Sequence, residues 1–276
     1  MKAKRNAVAS MGAIFSPVDV RDYKPAEVAR AMEYPTAFSV ELGKVKNQGA
    51  VSSCVAHSLS EVLEYSWRDK NIDMSVGFIY GNRKTSDYKE EGMIVRDALK
   101  ALNQYGDVEN SKFDYNKEVP KVIELFEEKY PELKDGALPF KIEKYYRCNT
   151  PEEMKTALMV DGPLVFAMKW FSDIKVGKDG IMKSTWDPNL NGGGHCMVIY
   201  GWNENGWLIR NSWGTTWGKG GNAILPFDAP IRECWGIRDE INENDVDIVK
   251  PYNNKVAQFF AKIINFFANL FKKKDN

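Results

Sequence analysis

The sequence predicts an α+β protein in which a helix-rich half, roughly residues 40–135, precedes a strand-rich half, roughly residues 140–240. Three observations carry this expectation. Apolar residues recur at helical spacing in the first half. The second half holds short, partly alternating apolar runs separated by turn signals, and no internal repeat divides the chain. At 276 residues, 43% hydrophobic and 28% charged, the chain can bury a large core in one domain or two lobes. Lysine plus arginine equals aspartate plus glutamate, 38 each, so the basic excess of a nucleic-acid-binding protein is missing.

In chain order, residues 1–34 are mixed and proline-punctuated. Met1-Lys2-Ala3-Lys4-Arg5 mimics the start of a signal peptide, but Ser10 and Gly12 interrupt the apolar run Ala7–Phe15, and Asp19, Arg21 and Asp22 follow; the pattern reads against secretion. Ser52 or Ser53 is placed to cap an amphipathic helix starting near Cys54, with Val55, Leu59, Val62, Leu63 and Trp67 on its buried face. Met93–Tyr105 reads as a second helix stopped by Gly106-Asp107, and Val122–Tyr130 as a third ended by Pro131. Pro151–Val160 is a helix whose acidic first turn, Glu152-Glu153, suits its dipole. Leu164–Met168 reads as a buried strand. His195–Gly201 and Trp207–Trp213 are joined by Asn203-Glu204-Asn205-Gly206, a strong hairpin signal.

Three separated segments hold the parts of a nucleophilic site. Gln48-Gly49 leads to Cys54 at a helix mouth, Gly194-His195-Cys196 supplies an imidazole, and Asn211-Ser212-Trp213-Gly214 supplies an amide. A helix N-terminus and a neighbouring imidazolium stabilise a thiolate. An amide oxygen fixes the orientation of the ring, and a glutamine amide with a backbone N–H binds an oxyanion. Cys54, His195, Asn211 and Gln48 are therefore the candidate catalytic set. The other histidine, His57, is read as a packed core residue. Cys196 is read as a small apolar neighbour of the site. A Cys148–Cys234 bridge remains conceivable, and four cysteines in a chain this size fit a reducing, intracellular setting. The glycine runs 192–194 and 218–221 do not have the lysine spacing of a phosphate loop.

On Gln48-Gly49 with Cys54, Gly194-His195, and Asn211-Ser212-Trp213-Gly214 with Trp217-Gly218, the sequence resembles the papain family of cysteine peptidases, in its bacterial and phage-type branch, over roughly residues 22–240. The resemblance implies a papain-like two-lobe fold, a helical left lobe and a β-barrel-like right lobe with the active site in the cleft. It implies an N-terminal extension at 1–34, a peptidase domain at 35–245 and a tail at 246–276. It also implies an endopeptidase acting on peptide or protein substrates without cofactor or metal, with Gly92, Gly194, Ala167, Cys196 and Trp213 at the substrate. Ala167 and Cys196 would form a pocket for an apolar or aromatic residue, and Trp213 would shield the Asn211–His195 bond. Val51 stands where relatives have a disulfide cysteine, Val55 where they have tryptophan, and Gly194 where many have aspartate. With 53 residues before Cys54, the long inhibitory prosegment of lysosomal members is not expected. Residues 1–34 are instead a candidate to cross the cleft and block it. A transpeptidase or ligase using the same nucleophile, and a catalytically silent scaffold, are the rival readings.

The stretch Val256–Phe271 is apolar except for Gln258, Lys262, Asn265 and Asn269, a single polar stripe on a helix, and Lys272-Lys273-Lys274 follow. As a helix it spans about 24 Å, too short for a bilayer core. A membrane-surface position and an oligomer contact are both open for it. The chain is expected in the cytoplasm, with peripheral membrane attachment through this tail as the alternative.

Overall fold

A computed structural model describes residues 11–19, 33–85, 91–115 and 122–238. The tail Val256–Phe271 lies outside the described residues. The chain begins with β1 (Ala13–Ile14) and β2 (Phe38–Ser39), followed by α1 (Cys54–Ser66), α2 (Val76–Gly81), β3 (Met93–Ile94), α3 (Val95–Tyr105) and α4 (Val122–Ala137). The second half comprises β4 (Lys144–Arg147), α5 (Pro151–Val160), β5 (Leu164–Phe171), β6 (Lys175–Val176), β7 (Met182–Lys183), β8 (Gly192–Asn203), β9 (Gly206–Arg210), β10 (Asn222–Leu225) and β11 (Ile231–Arg238). Helices thus dominate the first lobe and strands the second, the α+β division the sequence predicts. No helix among the described residues is long and apolar enough to cross a membrane.

The second lobe is an antiparallel sheet in the order β10-β9-β8-β5-β11-β4, with β2 also pairing β8. Its hydrogen-bonded order ends at β10 and β4, so by its pairing the barrel-like lobe is an open sheet. Alternate residues of its central strands enter two different cores. Leu164, Phe166 and Met168 of β5, Met197 and Ile199 of β8 and Cys234 of β11 join a core shared with Leu158 of α5. Val165, Ala167, Cys196, Val198 and Trp235 belong to the core that contains Cys54, Val55 and Leu59 of α1. Covered on both faces, these strands read in sequence as nearly continuous apolar runs.

That arrangement explains why α1 is not the amphipathic helix expected. All ten residues from Cys54 to Leu63 are buried, polar Ser58, Ser60 and Glu61 included. The helix is a central post between the sheet and the other helices. Ser53 occupies the N-cap position without capping through its side chain. Its hydroxyl is engaged by Tyr115 and His57 instead.

The remaining differences are local. Met93 and Ile94 are extended rather than helical because they pair in parallel with Ala13 and Ile14. Pro131 does not end α4, which continues to Ala137. A proline there removes one bond to the carbonyl of Glu127, and that residue is exposed, where the loss of one helix bond costs least. The helix Pro151–Val160 has the predicted bounds and a full capping box between Thr150 and Glu153. The hairpin closes on Glu204-Asn205, with Asn203 opposite Gly206. Its second strand stops at Arg210 rather than Trp213, because the main chain of Asn211 turns away to bond Gly221.

Candidate active site

Cys54 is the first residue of α1, where N–H groups have no partner within the helix. His195 lies on β8 opposite Met168 of β5, and β8 packs against α1. Burial raises the pKa of the Cys54 thiol, and backbone groups of Cys196 and Gly12 act against it. Cys196, the residue after His195, shares a buried core with Cys54, so β8 brings the imidazole to the region of the helix mouth.

The imidazole is held at its far nitrogen. His195 Nε2 meets Asn211 Oδ1 at 2.8 Å, so Nε2 carries the proton in the neutral ring and Nδ1 presents a lone pair. Nδ1 is buried without a hydrogen-bond partner. Asn211 Oδ1 is itself fixed by the Ser212 N–H at 2.8 Å. Trp213 stacks on the ring, centroids 4.6 Å apart, and Trp170 stands edge-on to both, at 5.3 Å from His195 and 4.7 Å from Trp213. Trp170 was not foreseen. It lies on β5 opposite Gly193, two residues before His195 on β8.

Gln48 is buried, and Ser212 ties it to the same cluster. The Ser212 hydroxyl donates to Gln48 Oε1 at 2.6 Å, and the Gln48 N–H donates to the Ser212 carbonyl at 2.8 Å. With its oxygen so occupied, the amide turns its nitrogen toward the loop before α1, where Nε2 donates to the Val51 carbonyl at 2.7 Å.

The cleft is filled by the chain's own N-terminal segment. The Met93 N–H donates to the Gly12 carbonyl at 2.8 Å, and Ala13 is buried. Farther along, the Ser16 N–H donates to the Glu233 carboxylate at 2.9 Å, and the Arg96 guanidinium donates to the Pro17 carbonyl at 2.6 Å. A side chain at either cleft glycine would strike this strap: a Cβ on Gly92 would lie 2.3 Å from the Gly12 oxygen, and one on Gly194 1.8 Å from the Ala13 oxygen. Ala167 and Cys196 face each other across β5 and β8, fully buried in the core that includes Ala13.

Beneath the strap, burial sets the protonation states. It pushes the Cys54 thiol up to about 11 and the His195 imidazole down to about 4. The covered pair is therefore a neutral thiol and a neutral imidazole, not the thiolate and imidazolium expected from an open helix mouth, because removal of water disfavours both ions. All four cysteines are free and buried; Cys148 and Cys234 are neighbours without a disulfide, and the Cys148 N–H donates to the Cys234 carbonyl at 2.9 Å.

A thiol at a helix N-terminus, a histidine oriented by an asparagine and a buried glutamine, set between a helical lobe and an antiparallel sheet, define a papain-like protein. The chain belongs to the papain family of cysteine proteases, whose family model matches residues 32–233. Among curated proteins it is 28% identical over 206 residues to an uncharacterised peptidase C1-like protein of Acanthamoeba polyphaga mimivirus, covering 66% of this chain and 63% of that protein. It is 26% identical over 215 residues to a viral cathepsin of Adoxophyes honmai nucleopolyhedrovirus, covering 75% and 58%. The chain thus spans about three-fifths of the length of these relatives. Among solved structures, xylellain, a cysteine protease from Xylella fastidiosa, shares the fold with a TM-score of 0.69 at 23% identity, over 84% of this chain and 97% of that one.

Proposed function

We propose that the chain is a cysteine-type endopeptidase stored in a latent form, with residues 11–17 lying in its own cleft. The observation that carries this reading is the His195 ring, bonded through Nε2 to Asn211 at 2.8 Å while the next residue, Cys196, shares a core with Cys54 at the start of α1. In catalysis the strap leaves and water returns, which removes the desolvation that keeps both groups neutral. The thiol passes its proton to His195 Nδ1 and the thiolate attacks the scissile carbonyl. The Cys54 N–H and the Gln48 amide, released from Val51, take the oxyanion. His195 protonates the leaving amine and then draws a proton from water to free the acyl group. Asn211 holds the ring throughout, and Trp213 and Trp170 keep water from that bond.

The strap's Gly12 carbonyl is spent on the Met93 N–H at 2.8 Å, which supports reading the strap as a blocker rather than a substrate. Substrates are polypeptides, with Gly92 and Gly194 along their backbone and an apolar side chain directed to Ala167 and Cys196. Four unpaired cysteines favour a reducing compartment such as the cytoplasm. The tail Val256–Phe271 is assigned to a membrane surface or an oligomer contact.

Peptide-library profiling of the wild type beside Cys54→Ala, with and without liposomes, tests the reading. Cleavage by the wild type and none by the variant is expected. Absence of cleavage even by a strap-displaced form contradicts it, and transfer of the acyl group to added amines in place of water moves the assignment to a transpeptidase.

A further inference from the structure

A second concave region adjoins the helix that carries Cys54. It is a cavity of about 540 Å³, within the size range of small-molecule sites. Its lining includes His57 and Tyr65 of α1, Val76 of α2, Tyr115, and the ion pair of Lys46 with Glu64. Cys54, His195 and Asn211 are not part of this wall.

His57 gives the cavity its chemistry. The residue is 2% exposed. Its Nδ1 sits 3.0 Å from the Ser53 carbonyl oxygen, and a carbonyl only accepts, so Nδ1 carries the proton and Nε2 is a bare lone pair. Nε2 makes no hydrogen bond among the described residues. Burial holds the ring near a pKa of about 3, helped by the charge of Lys46, so it stays neutral at working pH. The charged groups nearby satisfy one another: Lys46 Nζ binds Glu64 at 2.6 Å and Asp73 at 3.0 Å. The Met74 N–H binds Glu64 at 2.9 Å. His57 Nε2 is thus a buried acceptor in this wall without a hydrogen bond, beside the edge-on ring of Tyr115, while exposed Glu41, Lys44 and Arg68 also line the cavity.

We propose that this cavity is a binding site for a small neutral molecule that presents one N–H or O–H donor to His57 Nε2 from an apolar or aromatic body, and that its occupancy is felt at the catalytic helix. The wall carries three cations, Lys44, Lys46 and Arg68, and three carboxylates, Glu41, Glu64 and Asp73, so it favours neither charge and suits a neutral molecule. The link to catalysis is short. The Ser53 carbonyl that His57 binds also accepts the main-chain N–H of His57 in the first turn of α1, at 3.0 Å. The Tyr115 ring stands edge-on to His57 at 5.0 Å, and its hydroxyl meets Ser53 Oγ at 2.5 Å and the Gln48 carbonyl at 3.4 Å. A donor on Nε2 polarises the ring and strengthens the Nδ1–H bond to Ser53, tightening the loop between Gln48 and Cys54. The coupling rests on the proposed peptidase reading; the binding does not.

The chain has two histidines, so the imidazole ¹⁵N resonances of histidine-labelled full-length protein report the site directly. The probes are phenol and indole, with anisole and 1-methylindole as partners of matched shape that lack the donor. Phenol and indole are expected to move the His57 Nε2 resonance saturably at up to about 10 mM, the range of fragment-sized ligands, and the methylated partners to bind at least tenfold more weakly. His57→Phe, which keeps an aromatic ring and removes the acceptor, should lose the preference for the donors. In a turnover assay, phenol should change kcat by twofold or more with KM little altered. No saturable shift, equal shifts with the methylated partners, or shifts confined to His195 overturn the site. A His57 shift with unchanged turnover in an active enzyme overturns the coupling alone, and a His57 shift in a protein without any turnover overturns the peptidase reading and leaves the site standing.

Discussion

The cleft and the cavity beside Tyr115 each hold one histidine, and by burial the two are alike. His195 and His57 are both almost fully enclosed, and desolvation lowers both, to about 4 and about 3. A depressed histidine pKa therefore does not mark the reactive centre of this molecule. The bonds distinguish them. His195 is held by a side-chain amide on another segment, 16 residues away, and leaves Nδ1 buried without a hydrogen-bond partner. His57 is held by a carbonyl of its own helix turn. A ring bound at Nε2 by a neutral amide oxygen can accept a proton at Nδ1 and keep its orientation. A ring whose Nδ1–H is spent on the helix backbone serves packing and, in the cavity, recognition.

The largest expected effect separates the two regions outright. Cys54→Ala and His195→Ala should each lower kcat/KM by about 10³-fold or more, while His57→Phe should cost less than about tenfold, read with one fluorogenic peptide. Comparable losses at both histidines would erase the distinction. Next comes Gly12→Val. The Cβ at this position would fall 2.0 Å from the Ser52 carbonyl oxygen, so the strap must lift, and alkylation of Cys54 should accelerate by about tenfold or more, a free-energy change of about 1.4 kcal/mol.

The pH dependence sharpens the same contrast. In the wild type the rate of Cys54 alkylation should keep rising toward pH 11, where the buried thiol ionises. In Gly12→Val the rise should move down by more than one pH unit as water reaches the site. The smallest effect concerns stability. Because the folded pKa values of His57 and His195 lie below 6.5, their contribution is present above that value and is lost as pH falls toward 3 to 4. Glu61 runs the other way: burial raises it to about 8, so its contribution is lost as pH rises from 4.5 through 8. Melting temperatures of the wild type and His57→Phe between pH 4 and 7 check the sign: the variant should lose less on acidification.

The two halves of the fold and the trio of Cys54, His195 and Asn211 were legible because each rests on a strong local pattern: helical periodicity, an Asn-rich hairpin turn, and residue types that the chemistry requires. The rest depended on contacts between distant segments. Nothing in the weakly apolar sequence of residues 11–17 announces that Gly12 meets Ser52 and Met93, or that Ser16 meets Glu233. Serine before a helix reads as a cap, and only the position of Tyr115 shows why Ser53 turns elsewhere. Pro131 reads as a stop, and the exposure of Glu127 is what lets α4 run through it. The full burial of α1 could not be read from its own polar residues, because the sheet that covers it lies more than 100 residues downstream.

The most direct measurement is mass-spectrometric mapping of an epoxysuccinyl inhibitor on the wild type and on Gly12→Val. The adduct is expected on Cys54 alone, forming slowly in the wild type and about tenfold or more faster in the variant. Labelling of Cys148, Cys196 or Cys234 in its place, or no adduct on Cys54 in either protein, would contradict the assignment of Cys54 as a nucleophile held under its own chain.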